Sequence, residues 1–249
     1  VNSMRKKLIA GNWKMFKLQS ETQAYFEQFS AQLDASDREV MIFPPFTALE
    51  TALKMTKTSN IRIGAQNMHF EDSGAYTGEI SADMLKELGI HFVLIGHSER
   101  RKYFGETDDT VNRKVMKALD KDILPVVCIG EDLQERESGI TNQVLRRQVL
   151  DGLKNIGSGD RIIIAYEPVW AIGTGKTATD EQAEDACKNI REYLREIFAE
   201  YADNIRILYG GSVNASNIKS LMAMPNIDGV LVGGASLKAD FIEIVHYDR

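Results

Sequence analysis

Eight short apolar runs recur along the chain, at residues 8–10, 40–43, 61–65, 92–95, 124–129, 161–165, 205–209 and 229–232. Most are nearly continuous in apolar character, as parallel strands covered on both faces should be. The stretches between them read as amphipathic helices. Residues 20–33 place Tyr25, Phe26 and Phe29 among Glu and Gln, and 81–88 ends at Gly89, a suitable C-cap. Further helices are expected over 48–55, 107–119, 142–153, 179–201, 216–222 and 239–245, with Thr179 and Gln182 as N-cap and box partner. Strands and helices alternate without a Pro-, Gly- or Ser-rich linker. The expected fold is therefore α/β, a closed (β/α)8 barrel formed by residues 1–249 as a single domain. A doubly wound sheet would need two weaker edge strands, and none of the eight runs is plainly weaker.

Charge and composition narrow the partners. The net charge of −6 argues against a nucleic-acid surface, yet leaves room for a local positive pocket. No run reaches transmembrane length and the start lacks a signal-peptide core, so a cytoplasmic protein with no membrane partner is expected. Val1-Asn2-Ser3 ahead of Met4 reads as a cloning remnant. Cys128 and Cys187 are too few for a disulfide framework and read as reduced thiols. No H-x-H or H-E-x-x-H spacing occurs, so neither a metal nor a cofactor is expected.

In such a barrel the chemistry lies just past the C-terminal strand ends. Strand one leads into Gly11-Asn12-Trp13-Lys14, where Lys14 can draw in an anion and Asn12 can donate or accept beside it. Strand four leads into Gly96-His97-Ser98-Glu99. His97 sits where Ser98-Glu99 could open a short helix, a setting that favours the neutral imidazole. His69, His91 and His246 have no comparable setting and read as structural or surface groups. Strand six leads into Glu167, a carboxylate whose pKa would rise toward that of a working base in a dry pocket. A lid follows it: Pro168, Val169, Trp170, Ala171, Ile172, Gly173, Thr174, Gly175 and Lys176, stiff at its proline end and glycine-hinged at the other. Gly210-Gly211-Ser212 and Gly233-Gly234 follow strands seven and eight, the usual place for a phosphate cradle built of bare backbone.

Two nucleotide signatures are absent. Gly173-Thr174-Gly175-Lys176-Thr177 resembles the end of a P-loop, but its leading glycine would have to stand at Trp170. No G-x-G-x-x-G follows any strand. What remains is a base, a neutral electrophile, a cation, a phosphate cradle and a lid. That set suits proton abstraction next to a carbonyl of a small phosphorylated substrate, with His97, Lys14 and Asn12 stabilising the oxyanion.

Six segments together carry a family resemblance: Gly11-Asn12-Trp13-Lys14-Met15, Ala75-Tyr76-Thr77-Gly78-Glu79, Gly96-His97-Ser98-Glu99-Arg100-Arg101, Tyr166 through Lys176, Tyr209-Gly210-Gly211-Ser212-Val213 and Val232-Gly233-Gly234-Ala235-Ser236. In this order, over essentially the whole chain, they resemble the triosephosphate isomerase family, whose fold is the TIM barrel. The glutamate base, neutral histidine and closing loop of this family are a standard illustration of pKa tuning, so these roles come with the resemblance. It implies that Glu167 shuttles a proton between two carbons of a triose phosphate in glycolysis and gluconeogenesis, with no cofactor. His97, Lys14 and Asn12 would then line the substrate, and Gly173, Ser212, Gly233 and Gly234 would hold its phosphate. Glu99 and Cys128 would be supporting residues. A homodimer is also implied, with Thr77 on the long loop 69–79 reaching into the other subunit. The rivals are another aldose–ketose isomerase or a decarboxylase acting on a larger sugar phosphate, which the lid would crowd, and an inactive barrel that only binds. The last would have lost Glu167, His97 or Lys14, and all three are present.

Overall fold

A computed structural model describes residues 5–174 and 176–249. Val1-Asn2-Ser3, read as a remnant, and Gly175, assigned to the lid, lie outside the described residues.

The eight runs form strands β1 (Leu8–Asn12), β2 (Glu39–Phe43), β3 (Ile61–Ile63), β4 (Phe92–Ile95), β5 (Leu124–Ile129), β6 (Ile163–Tyr166), β7 (Arg206–Tyr209) and β8 (Gly229–Val232). All pair in parallel, in the order β3-β2-β1-β8-β7-β6-β5-β4. The two ends meet through the bridge between Ala65 and Val93, where the Ala65 N–H donates to the Phe92 carbonyl at 2.9 Å and the Ala65 carbonyl accepts from the Leu94 N–H at 2.8 Å. The sheet therefore closes, and the (β/α)8 barrel expected from the pattern is the fold. The run 61–65 is shorter as a strand than expected because the chain narrows at Gly64. A Cβ there would lie 2.4 Å from the Phe43 ring.

Around the barrel lie α1 (Gln19–Gln32), α2 (Leu49–Thr56), α3 (Ala82–Leu88), α4 (Ser98–Tyr103), α5 (Asp108–Asp120), α6 (Leu133–Glu137), α7 (Thr141–Gly152), α8 (Asp180–Phe198), α9 (Ile218–Met222) and α10 (Phe241–Val245). Their ends follow the local chemistry. Gly89 closes α3 in the left-handed region at φ 92°, and Thr179 caps α8 with Gln182 completing the box. The helix expected over 179–201 stops at Phe198, where Ala199 turns to positive φ and opens a 3-10 segment. Helix α6 had no apolar stripe to reveal it; its signal was the capping box between Asp132 and Glu135. None of the helices is long and apolar enough to cross a membrane.

Strand periodicity divides the core in two. Leu8, Ala10, Met41, Phe43, Leu94, Val126, Cys128, Ile163, Ala165, Leu208 and Leu231 fill the barrel interior. The alternate residues, such as Ile9, Val40, Val93, Val127, Ile164 and Ile207, pack outward against the helices. Each fully buried aliphatic side chain contributes about 1.5–3 kcal/mol. The same period of two positions the chemistry. Asn12 continues the inward set Leu8-Ala10, and Glu167 continues Ile163-Ala165, so both project over the barrel mouth.

Candidate active site

Glu167 enters the site on a tightly held backbone. Its N–H donates to the Ile129 carbonyl at 2.7 Å, and Gly210 N–H donates to the Tyr166 carbonyl at 2.7 Å. Bare backbone flanks it on both neighbouring strands. A Cβ on Gly130 would lie 1.7 Å from the Glu167 carbonyl oxygen, and one on Gly210 would lie 3.0 Å from Glu167 Cγ. Gln148 fixes Gly130 in turn, accepting its N–H at 2.8 Å.

His97 reaches Glu167 by a different route. Strand β4 ends at Ile95, and the following Gly96, with φ 75°, breaks the alternation and turns the next residue inward. His97 becomes the N-cap of α4, its Nδ1 accepting the Glu99 N–H at 3.2 Å. That bond places the ring proton on Nε2, which lies 2.8 Å from Glu167 Oε2. The Ser98 N–H donates to Glu167 Oε1 at 3.2 Å. Both side chains are buried, His97 at 6% exposure and Glu167 at 2%.

Burial works against the charged form of each partner, but their contact outweighs it. The Glu167 and Glu99 carboxylates hold the His97 pKa above its ordinary value. His97, the Ser98 N–H and Lys14 hold Glu167 below the usual carboxylate range. The expectations of a raised Glu167 and of a ring pushed toward neutrality are thus corrected. A 2.8 Å charge-assisted contact overrides desolvation here. The Cys128 thiol lies beside Glu167 in the barrel interior, and burial first, the carboxylate second, push its pKa well up.

Lys14 is held in an unusual backbone conformation for its residue type, with φ 55°. Its N–H donates to Asn12 Oδ1 at 2.9 Å and its carbonyl accepts from Gln66 Nε2 at 2.8 Å. Its Nζ forms an ion pair with Glu99 Oε1 at 2.7 Å. Trp13 Nε1 donates to the Ser236 carbonyl at 3.2 Å, tying this loop to the turn after β8. The tie brings the Lys14 ammonium to 3.9 Å from where a Gly233 Cβ would stand. Gly233 caps a 3-10 turn, Gly234–Ser236, whose opening N–H groups face outward from the helix start. Ser212 lies across from it, on a loop anchored by Asn217 Nδ2 donating to the Ser212 carbonyl at 2.9 Å.

The lid runs from Pro168 through a 3-10 turn, Val169–Ala171. Trp170 and Ala171 are buried, while Gly173, Thr174 and Lys176 are exposed. Gly173 sits at φ 68° with nothing near its missing Cβ, which suits a hinge or a close backbone contact. A cavity of about 370 Å³ gathers these parts. Asn12, Lys14, His97 and Glu167 line it together with Gly173, Ser212, Gly233 and Gly234. Thr77 is not among them; it is exposed on the loop 69–79. No group of three or more His, Cys, Asp or Glu among the described residues is placed to hold a metal ion.

Two contributors escaped the sequence reading. Ser98 holds Glu167 through its N–H, which no side-chain pattern reveals. Glu131, fully buried, accepts from Tyr166 Oη at 2.8 Å and from Trp170 Nε1 at 2.6 Å, anchoring the lid. Its signal was position: it stands just past the end of β5, and the strand-end rule extended to that strand finds it.

A carboxylate and an imidazole in contact over a barrel mouth, facing bare backbone and a cation beneath a hinged segment, define an acid–base enzyme of the (β/α)8 class. Comparison with known proteins specifies the family. A family model described as triosephosphate isomerase matches residues 7–248. Triosephosphate isomerase of Clostridium botulinum (strain ATCC 19397 / Type A) is 53% identical over 248 residues, 98% of this chain and 100% of the relative. The enzyme of that name from Moorella thermoacetica is 51% identical over 249 residues, covering 99% and 100%. That from Acetivibrio thermocellus is 50% identical over 249 residues, covering 98% and 99%. The chain belongs to the triosephosphate isomerase family.

Proposed function

We propose that this chain interconverts dihydroxyacetone phosphate and D-glyceraldehyde 3-phosphate by base-catalysed proton transfer, without a cofactor. The observation that carries the reading is the buried contact between Glu167 and His97 in a cavity also lined by Gly233 and Gly234. Glu167 takes a proton from the carbon next to the carbonyl while His97 Nε2–H donates to the carbonyl oxygen, giving an enediolate. His97 then moves a proton from the hydroxyl oxygen to the neighbouring oxygen, and Glu167 returns its proton to the adjacent carbon, which completes the isomerisation. When Glu167 turns from His97 to the substrate carbon, the carboxylate that raises the His97 pKa leaves, and burial returns the ring to its neutral donor form. Lys14 and Asn12 stabilise the developing negative charge.

The backbone at Gly173, Gly233 and Gly234, with Ser212, holds the phosphate, and the lid excludes water from an intermediate that otherwise loses phosphate. Glu99 supports the site by pairing with Lys14 and giving its N–H to His97, and Cys128 packs beneath the base. The cavity is at the small end of ligand clefts, which favours a triose over a larger sugar phosphate.

A homodimer fits the surface beside the site. Met15 is 93% exposed, and Phe16 and Leu18 close to it in sequence are open too, apolar surface that a partner would cover. A second cavity of about 210 Å³, bounded by Asn12, Lys14, His97 and Met15, is suited to receive the partner's Thr77. Residues 1–249 act as one catalytic domain, in the cytoplasm. The test is the isomerase assay in deuterated water on wild type and Glu167→Gln. Turnover and solvent label in product are expected to collapse together in the variant. Equal turnover and equal labelling would overturn the assignment of the base.

A further inference from the structure

Trp170 is the lid's largest buried side chain, and it is gripped on two sides. Its Nε1 donates to Glu131 Oε1 at 2.6 Å, and the Arg136 guanidinium lies over its ring, 4.3 Å from the centroid. Thr174 Oγ1 then donates to the Trp170 carbonyl at 2.8 Å, linking the gripped residue to the lid's tip. Arg136 projects from α6, a five-residue helix made rigid by the Asp132–Glu135 capping box.

The carboxylate on the other side is under strain of a particular kind. Glu131 is fully buried, and its Oε2 has no hydrogen-bond partner among the described residues. Burial raises its pKa, and Tyr166, Trp170 and Arg136 lower it only in part. Arg136 Nη1 stands 3.8 Å from Glu131 Oε1, too far for a hydrogen bond but close enough for its charge to act at low dielectric. Arg136 thus serves two neighbours: it covers the face of the indole and offsets the charge of the group holding the indole's edge. An arginine can do both because its guanidinium is flat and permanently charged; a lysine supplies the charge without the plane.

We propose that Arg136 is a positioning residue for the lid, clamping Trp170 against Glu131 and thereby setting how completely residues 168–174 cover the bound intermediate. It does not line the cavity that holds Glu167 and His97; it acts through Trp170. This rests on the isomerase reading above.

The test compares wild type, Arg136→Lys and Arg136→Met in the isomerase assay. Three quantities are followed: kcat against KM, inorganic phosphate released per turnover, and tryptophan emission with acrylamide quenching. The chain has two tryptophans, and Trp13 is fully buried and tied to Ser236, so a change in emission reports Trp170. In Arg136→Met, kcat should fall roughly 2- to 30-fold, the span of a partly desolvated cation–π contact, with KM little changed. Phosphate loss per turnover should rise and the emission shift to the red. Arg136→Lys should fall between the other two proteins, and it decides the matter alone if Arg136→Met does not fold.

Folded variants with wild-type kcat, product ratio and emission would overturn the proposal. So would equal losses in both variants with unchanged emission, which a merely structural side chain would give. Failure of the wild type to isomerise the triose phosphate would instead overturn the functional reading, so the two failures are distinguishable.

Discussion

His97 Nε2 and Glu167 Oε2 are 2.8 Å apart in a dry site, and each favours the charged form of the other. Glu167, held below 4.5, stabilises the fold fully above that pH and less as pH falls through its lowered value. His97, held above 6.5, contributes fully below that pH and less as pH rises through its raised value. The pair's joint contribution is therefore greatest between pH 4.5 and 6.5. The stability gap between wild type and Glu167→Gln, measured by urea unfolding, should be widest in that window and shrink on both sides. In the same variant the His97 ring should titrate lower, which nitrogen NMR would read. A gap independent of pH would mean that the contact is not ionic.

Glycines at the barrel mouth are not equivalent. Gly130→Ala would drive a methyl group into the Glu167 carbonyl, with 1.7 Å between the atoms, whereas Gly234 has nothing within 4 Å. Relieving that overlap should cost roughly 1–3 kcal/mol of stability. It should also cost turnover on the order of 100-fold through misplacement of the base. Gly234→Ala should unfold like wild type. Thermal denaturation and initial rates on the two proteins test the contrast.

Lys114 and Glu106 form an ion pair at 2.7 Å with both side chains buried, and Asn67 Oδ1 takes a second Lys114 bond at 3.0 Å. Burial raises Glu106, but Lys114 and Thr110 hold it below the usual carboxylate value. Lys114→Met should destabilise by up to about 3 kcal/mol, the low end for a broken buried pair, because Glu106 keeps the Thr110 hydroxyl and Arg100 at 3.6 Å. Glu106→Gln with Lys114→Met should recover part of that loss. Urea unfolding of the single and double variants gives the coupling directly.

Met15, almost fully exposed beside the second cavity, offers a direct probe of subunit pairing. Met15→Arg should shift sedimentation from dimer to monomer and lower specific activity, since a charged side chain cannot be buried there unpaired. A wild type that sediments as a monomer while fully active would overturn the dimer reading.

Much of this was legible in the chain because the barrel repeats one local rule. Runs such as 92–95 and 124–129 are apolar on both faces, and that alone implies helices outside and a filled interior. Once strand ends are known, Asn12, His97 and Glu167 fall at the mouth by counting. What could not be counted is how they meet. The left-handed turn at Gly96 brings His97 onto Glu167, and that contact reverses the pKa expected from burial alone. Helix α6 was too short and polar to show periodicity, so Arg136 and the grip on Trp170 emerged only in three dimensions. The end of 61–65 misled for a related reason: Gly64 passes under the Phe43 ring, a long-range contact that no window reveals.

The barrel's ring of ladders is uneven: among the described residues a single bridge at Ala65, just past β3, joins it to β4, whereas β4 and β5 share four paired positions. Hydrogen bonding around the circle thus has a clasp, and the long exposed loop 69–79 leaves the barrel immediately beside it. The chain spends its weakest seam where it also extends its surface outward. A partner gripping that loop would brace the hoop at the seam where the paired backbone is thinnest.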